Sequence, residues 1–263
     1  MPASTPPVAV LDANVLYSQV LSDYFVHAGA ERLVVLKWSS AILDEMIRNK
    51  KKRATERFAD PAHLRPRIEA ADRLRDYVLR TYPGEFIEPS LADFASFQHL
   101  PMPDPDDRHV VATAVAARAT FLCTQNIADF PTSVMTQLGI RRITSDALLT
   151  KLVKTNPVEM VRAHQRVIAW TPGTTHRKTL EALRRAQAPT FSAGMEVLLM
   201  SLGDLDRSDL AQAHAAALTE RDRALTGVRP PSSRPVRASD LAARRRLASG
   251  RIDLADQRRR GDG

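Results

Sequence analysis

Four acidic residues, Asp12, Glu45, Asp107 and Asp129, stand where an open α/β sheet gathers its functional groups, beyond the carboxyl ends of strands. Asp12 directly follows the apolar run Val8-Ala9-Val10-Leu11, which reads as a buried strand. Asp129 lies five residues after Thr124, in the segment leaving a second such run, Thr120 to Thr124. Glu45 and Asp107 fall in the early turns of two expected helices. Counting three, four and seven from Asp107 gives Val110, Val111 and Ala114, so this carboxylate is expected on an apolar helix face. A buried, unpaired charge costs several kcal/mol and so requires a partner. Helix capping, worth about 1 kcal/mol, is the competing account of Asp107. Asp104 and Asp106 are better placed for capping and turn roles.

Taken singly, the other groups have ordinary explanations. Asp44-Glu45 near a helix start complements the macrodipole, and Asn14 and Asn126 read as Asx-turn residues after strands. Together they place four acids, with Asn14, Thr124 and Asn126, at one sheet edge. Carboxylates so concentrated raise one another's pKa unless a cation sits among them. Oxygen donors without His or Cys favour a hard ion, Mg²⁺ or Mn²⁺, over zinc.

The elements that would hold these residues alternate. A strand at Val8–Leu11 precedes a helix from about Val15 to Ala28, with Gly29 as its stop, then an extended run from Leu33 to Trp38. Ser39 and Ser40 offer cap oxygens for a helix from about Ala41 to Asn49. The basic run Asn49-Lys50-Lys51-Lys52-Arg53 then reads as a solvated helix end favoured by the dipole. Further helices are expected over Pro66–Tyr82, Leu91–Gln98, Asp107–Arg118 and from Ser133. Brief strands are expected at Phe86-Ile87, Thr120–Thr124 and Arg141–Thr144. Alternating strands and helices over residues 1–146 predict an α/β three-layer domain with a mostly parallel sheet. Residues 147–225 carry helical patterns only, and residues 226–263 form an Arg-rich tail with too little apolar content to pack.

Composition narrows the setting. The lone Cys123 excludes a disulfide framework and a Cys-rich zinc site, and reads as a core residue. No apolar stretch is long enough to span a bilayer, and Asp12 interrupts any signal-like start, so a cytoplasmic location is expected. The formal charge of +8 is concentrated in the tail, whose ten Arg and four Asp supply +6. Basicity is therefore a weak guide to what the folded body binds, although such a tail can add affinity for phosphate backbones. His109 lies about 200° around a helix from Asp107 and reads as structural or surface. His27, His63, His99, His164, His176 and His214 are scattered without ligand spacing.

The segments V-L-D-A-N-V-L-Y, W-S-S-A-I-L-D-E-M, D-D-R-H-V-V-A-T-A and T-Q-N-I-A-D-F-P resemble, in order and spacing, the PIN-domain nucleases, and in particular the VapC-type toxins of toxin–antitoxin pairs. Each motif is short; their order over residues 8–146 carries the resemblance. It implies an acid cluster of Asp12, Glu45, Asp107 and Asp129 holding Mg²⁺ or Mn²⁺ and cleaving RNA. Asn14, Thr124 and Asn126 would play supporting roles in orienting ligands or water. Many family members have Asp where Asn126 stands, which throws weight on Asp129. The resemblance also implies a small antitoxin protein as partner and a homodimer. Competing functions are another PIN-fold RNA-processing nuclease, a flap-type DNA nuclease, a non-catalytic RNA-binding protein on a degenerate fold, and a small-molecule α/β phosphatase. A phosphatase usually places D-x-D after strand one, where this chain has Asp12-Ala13-Asn14.

Overall fold

A parallel sheet needs a crossover between every pair of neighbouring strands, so its helices are built into its connectivity. The computed structural model describes residues 5–90, 99–171 and 173–203. Its strands are β1 (Val8–Leu11), β2 (Val35–Lys37), β3 (Phe121–Cys123) and β4 (Arg141–Ile143), all parallel in the order β2-β1-β3-β4. The two central strands carry the uninterrupted apolar runs and are almost wholly buried. The edge strands carry Lys37, Arg141 and Arg142. In register, Val10 lies beside Lys37 on one side and Leu122 on the other. The chain leaves β1 toward β2 and later returns to β1's other side as β3. The crevice between the carboxyl ends of β1 and β3 is therefore a topological switch point.

The helices of this part are α1 (Ala13–Tyr17), α2 (Gln19–Ala30), α3 (Ser40–Arg57), α4 (Pro61–Thr81), α5 (Arg108–Ala116) and α6 (Thr132–Gln137). With the four-stranded sheet they make the expected three-layer α/β architecture, followed by the helical extension. Boundaries differ from expectation in four places. The expected helix from Val15 to Ala28 is two, broken at Ser18, whose backbone is extended. Gly29 lies inside α2, and the reversal comes at Arg32, which adopts a positive φ of 60°. Helix α4 begins five residues before Pro66 because Asp60 caps it, accepting from Ala62 N at 3.0 Å, with Pro61 in the first turn. The expected strand at Phe86-Ile87 reduces to one parallel bridge between Trp38 and Phe86.

The fourth difference is the largest. Helix α3 does not stop at Asn49 but continues to Arg57, so the basic run occupies its interior instead of its end. Two ion pairs to α4 hold this length in place, Lys51 to Asp72 and Arg75 to Asp44, each at 2.6 Å. Lys50 folds over the Tyr17 ring and donates to Tyr17 O at 2.9 Å.

Beyond β4 run α7 (Ser145–Thr155), α8 (Pro157–Trp170), α9 (His176–Arg185) and α10 (Pro189–Ser201). Asp146 accepts from Phe191 N at 2.7 Å and Thr190 N at 3.3 Å, capping α10 from α7. Glu31 at the end of α2 pairs with Arg162 and Arg166 of α8, both at 2.8 Å. Leu148, Met160, Leu183, Phe191 and Met195 are buried in one continuous cluster with Leu21, Tyr24 and Phe25 of α2. Tyr24 meets Phe191 edge-on at 5.0 Å between ring centres. His164 and His176 are not scattered: Tyr24 OH bonds His164 Nδ1, and His164 Nε2 lies 2.9 Å from His176 Nδ1. Cys123 is fully buried, and burial pushes its thiol up to about 12. Among the described residues no helix is long and apolar enough to cross a membrane. The expected helix at Leu91–Gln98, the end of the expected helical stretch beyond residue 203, and the Arg-rich tail lie outside the described residues.

Candidate active site

Asp12 ends β1 and caps α1, so the strand and the helix after it fix its backbone from both sides. Its side chain is only 4% exposed. One carboxylate oxygen accepts from Ala13 N at 2.6 Å, and the other accepts from Asn14 Nδ2 at 2.6 Å and Thr124 Oγ1 at 2.7 Å. Thr124 follows β3, the strand beside β1, and its hydroxyl also accepts from Asn126 N at 2.9 Å. Asn14 in turn accepts from Gln125 N at 3.0 Å. Three groups expected to support the site, Asn14, Thr124 and Asn126, thus form one hydrogen-bonded lattice across the switch point. Burial pushes the Asp12 carboxyl above its ordinary range, opposed by the Thr124 hydroxyl, and Glu45 pushes it further up.

Asp107 departs from its expected setting in an informative way. It belongs to a 3-10 turn, Pro105–Asp107, and only borders α5; it is not within that helix. Val110, Val111 and Ala114 of α5 are buried as expected. Asp104 does the capping, accepting from Asp106 N at 2.9 Å, and Asp107 makes no capping bond of its own. Its half-buried carboxyl is pushed up to about 7 by burial and then by Asp12, Asp104, Asp129 and Glu45. Asp107 therefore feels all three of the other candidate acids. A carboxylate that neither caps nor pairs among the described residues, and that feels like charges, is one whose charged form a nearby cation would favour.

Glu45 sits on α3, which Ser39 starts by accepting from Ile42 N at 3.4 Å. Ser39 is itself buried and accepts from Thr113 Oγ1 of α5 at 2.9 Å, tying the helix that carries Glu45 to the helix that Asp107 precedes. His109 corrects the sequence reading. It does not turn away from the acids: its Nε2 lies 3.2 Å from Glu45 Oε2, and its Nδ1 donates to Asp106 O at 2.6 Å. Burial opposes its charged form, but Glu45, the Asp106 carbonyl and Asp12 outweigh that and raise its pKa. The 200° rotation was measured from Asp107, and the acid that His109 meets is on another helix. At 3.2 Å the pair has ion-pair distance but lacks hydrogen-bond direction, and Glu45 Oε2 is buried without a hydrogen-bond donor.

Asp129 ends the 3-10 turn Ile127–Asp129 and accepts from Asn126 Nδ2 at 2.5 Å. Asn126 thus orients this acid through its side-chain amide. Two residues that the sequence did not single out hold the loop. Arg142 of β4 donates to Ile127 O at 2.5 Å, Phe130 O at 2.9 Å and Thr132 Oγ1 at 2.6 Å. Gln125 Nε2 donates to Ala186 O at 3.1 Å, joining the loop to the end of α9. An arginine on an edge strand and a glutamine between Thr124 and Asn126 carry no local signal of these partners.

The donor chemistry suits a hard divalent ion, since the facing groups are carboxylates and one buried oxygen of Glu45 lacks a donor. Among the described residues no three such side chains converge closely enough to hold an ion as they stand. The acids interact through charge and do not share a ligand position. Residues 8–128 match the PIN domain family model. This PIN-like region begins with β1, includes Asp12, Glu45, Asp107 and Asn126, and ends one residue before Asp129. A PIN domain points to nuclease-type function, and such domains typically use divalent metals. No curated protein and no solved structure matches the chain.

Proposed function

We propose that the chain is a Mg²⁺- or Mn²⁺-dependent endoribonuclease acting in the cytoplasm, and the toxin of a toxin–antitoxin pair. The observation that supports the nuclease reading is the buried Asp12 carboxylate held by Asn14 and Thr124 at the β1–β3 switch point, with the uncapped Asp107 close enough to feel its charge. Asp12, Glu45 and Asp107 would hold the ion, with Asp129 as the fourth acid. When bound, such an ion supplies a water acidic enough to attack phosphorus and counter-charge for the phosphoryl group. Thr124 and Asn14 hold the Asp12 carboxylate in one orientation by their bonds to Oδ2, and Asn126 does the same for Asp129. His109 lies beside Glu45 and is placed to carry a proton at Nε2. A small antitoxin protein and a second copy of the chain are its proposed partners.

The test is RNA cleavage by the purified protein with Mg²⁺ or Mn²⁺. Asp12→Ala or Asp107→Ala should abolish it while leaving the circular dichroism spectrum unchanged; normal cleavage by either variant overturns the site assignment. The toxin role is tested separately. Induced expression in bacteria should arrest growth, and Asp12→Ala should not; equal growth removes the toxin reading and leaves an RNA-processing nuclease.

A further inference from the structure

The basic run on α3 was expected to need no explanation beyond a helix end, and the length of α3 removes that account. Charges in a helix interior gain nothing from the dipole, which acts within the last turn. The run divides by task. Lys51 is taken up by Asp72 and Lys50 by Tyr17 O, while Asp44, on the Lys51 side, is taken up by Arg75. Arg48, just before the run, and Lys52 and Arg53 within it are exposed and make no ion pair or hydrogen bond among the described residues. At about 100° per residue, Arg48 lies about 60° and Lys52 about 20° from Glu45, on the same side of the helix. Lys52 is displaced about 10 Å along the axis from Glu45, two turns on. As an i,i+4 pair of like charge, Arg48 and Lys52 disfavour the helix, with no partner among the described residues to offset it.

We propose that Arg48 and Lys52 form a phosphate track leading from Glu45 along the outer face of α3, seating the backbone of the RNA strand to one side of the acid cluster. This rests on the nuclease reading of that cluster. The arrangement supplies what the cluster cannot. Four carboxylates repel a polyanion, so a strand approaching them needs positive charge close by and off the reacting centre. Binding through two such contacts carries no base preference, since phosphate contacts position a strand and do not read it. Neither residue touches the reacting groups, so both are positioning residues.

The experiment measures affinity of the full chain for a short single-stranded RNA, with metal removed by chelator to suppress cleavage, across a salt series. Each phosphate contact contributes about 0.7 to the slope of log affinity against log salt for a single strand. Arg48→Gln/Lys52→Gln should therefore make the slope shallower by about 1.4, and each single variant by about 0.7. Lys151→Gln/Lys154→Gln on α7 removes the same charge from exposed positions elsewhere and should leave the slope unchanged. An unchanged slope in the α3 variant, or an equal change in the α7 variant, overturns the track. With metal restored, the α3 variant should show a higher KM and an unchanged kcat; an unchanged KM also counts against it. Failure of wild-type protein to cleave RNA refutes the nuclease reading instead, and the salt slopes in chelator still decide the track.

Discussion

Replacing Asp107 by Asn should stabilise the metal-free protein and inactivate it in the same step. The folded chain holds the Asp107 proton up to about pH 7, against an ordinary value of 3.8, because burial and four neighbouring acids oppose its charge. An acid whose folded pKa is raised contributes stability that is present below 3.8 and lost as pH rises to about 7. Taken at face value, a shift of about three units at 1.36 kcal/mol each comes to about 4 kcal/mol. The carboxyl is half-buried, so solvent screening leaves about 1–2 kcal/mol. Asparagine keeps the shape and removes the charge. Urea unfolding in chelator, followed by circular dichroism, should show Asp107→Asn gaining that much over wild type at about pH 8 and much less at about pH 5. If Asp107 helps hold an ion as proposed, added Mg²⁺ should narrow the gap at the higher pH, because it would stabilise wild type and not the variant. A variant no more stable than wild type at pH 8, or a gap independent of pH, would refute the claim that Asp107 sits among uncompensated charges.

His164, fully buried against Tyr24 and His176, is held down to about 3 by burial and then by His176. The unfolded chain takes up this proton below about pH 6.5 and the folded chain does not, so stability should fall on acidification by up to about 1.4 kcal/mol per pH unit. The slope is best measured in the Asp107→Asn background, free of the opposing carboxyl, and His164→Gln should flatten it; an unaltered slope disproves the assignment. Phe191→Ala should cost about 3–5 kcal/mol by urea unfolding if α10 shares the core with α2 as its contact with Tyr24 indicates, and a loss below about 1 kcal/mol would show that it does not. Ser39→Ala should cost about 1 kcal/mol from the lost α3 cap, and a neutral result would mean that the hydroxyl's bonds to Ile42 N and Thr113 contribute nothing net.

The chain's own order determines a good deal of this protein. Val8–Leu11 and Phe121–Cys123 are uninterrupted apolar runs because central strands of a parallel sheet are buried on both faces. That pattern is local, and it places Asp12 and Thr124 at adjacent strand ends once the strands pair. Cap residues are equally local, and Ser39 starts α3 where its hydroxyl says it should. The tertiary structure decided what depends on two distant segments at once. Asp12 and Thr124 are bonded across 112 positions of sequence, and Gln125 reaches Ala186 across 61. Whether Asp107 caps α5 or stands before it depends on where the helix starts, and a shift of one residue rotates a side chain by about 100°. His109 is rotated away from Asp107 yet meets an acid, because Glu45 comes from α3, a separate helix that sequence position does not place beside it. The four acids could be picked out one by one from local pattern, Asp12 after β1, Glu45 early in α3, Asp107 before α5 and Asp129 in the loop after β3. Their electrostatics could not be, because repulsion among four carboxylates is a property of their distances, and only the packed sheet sets those.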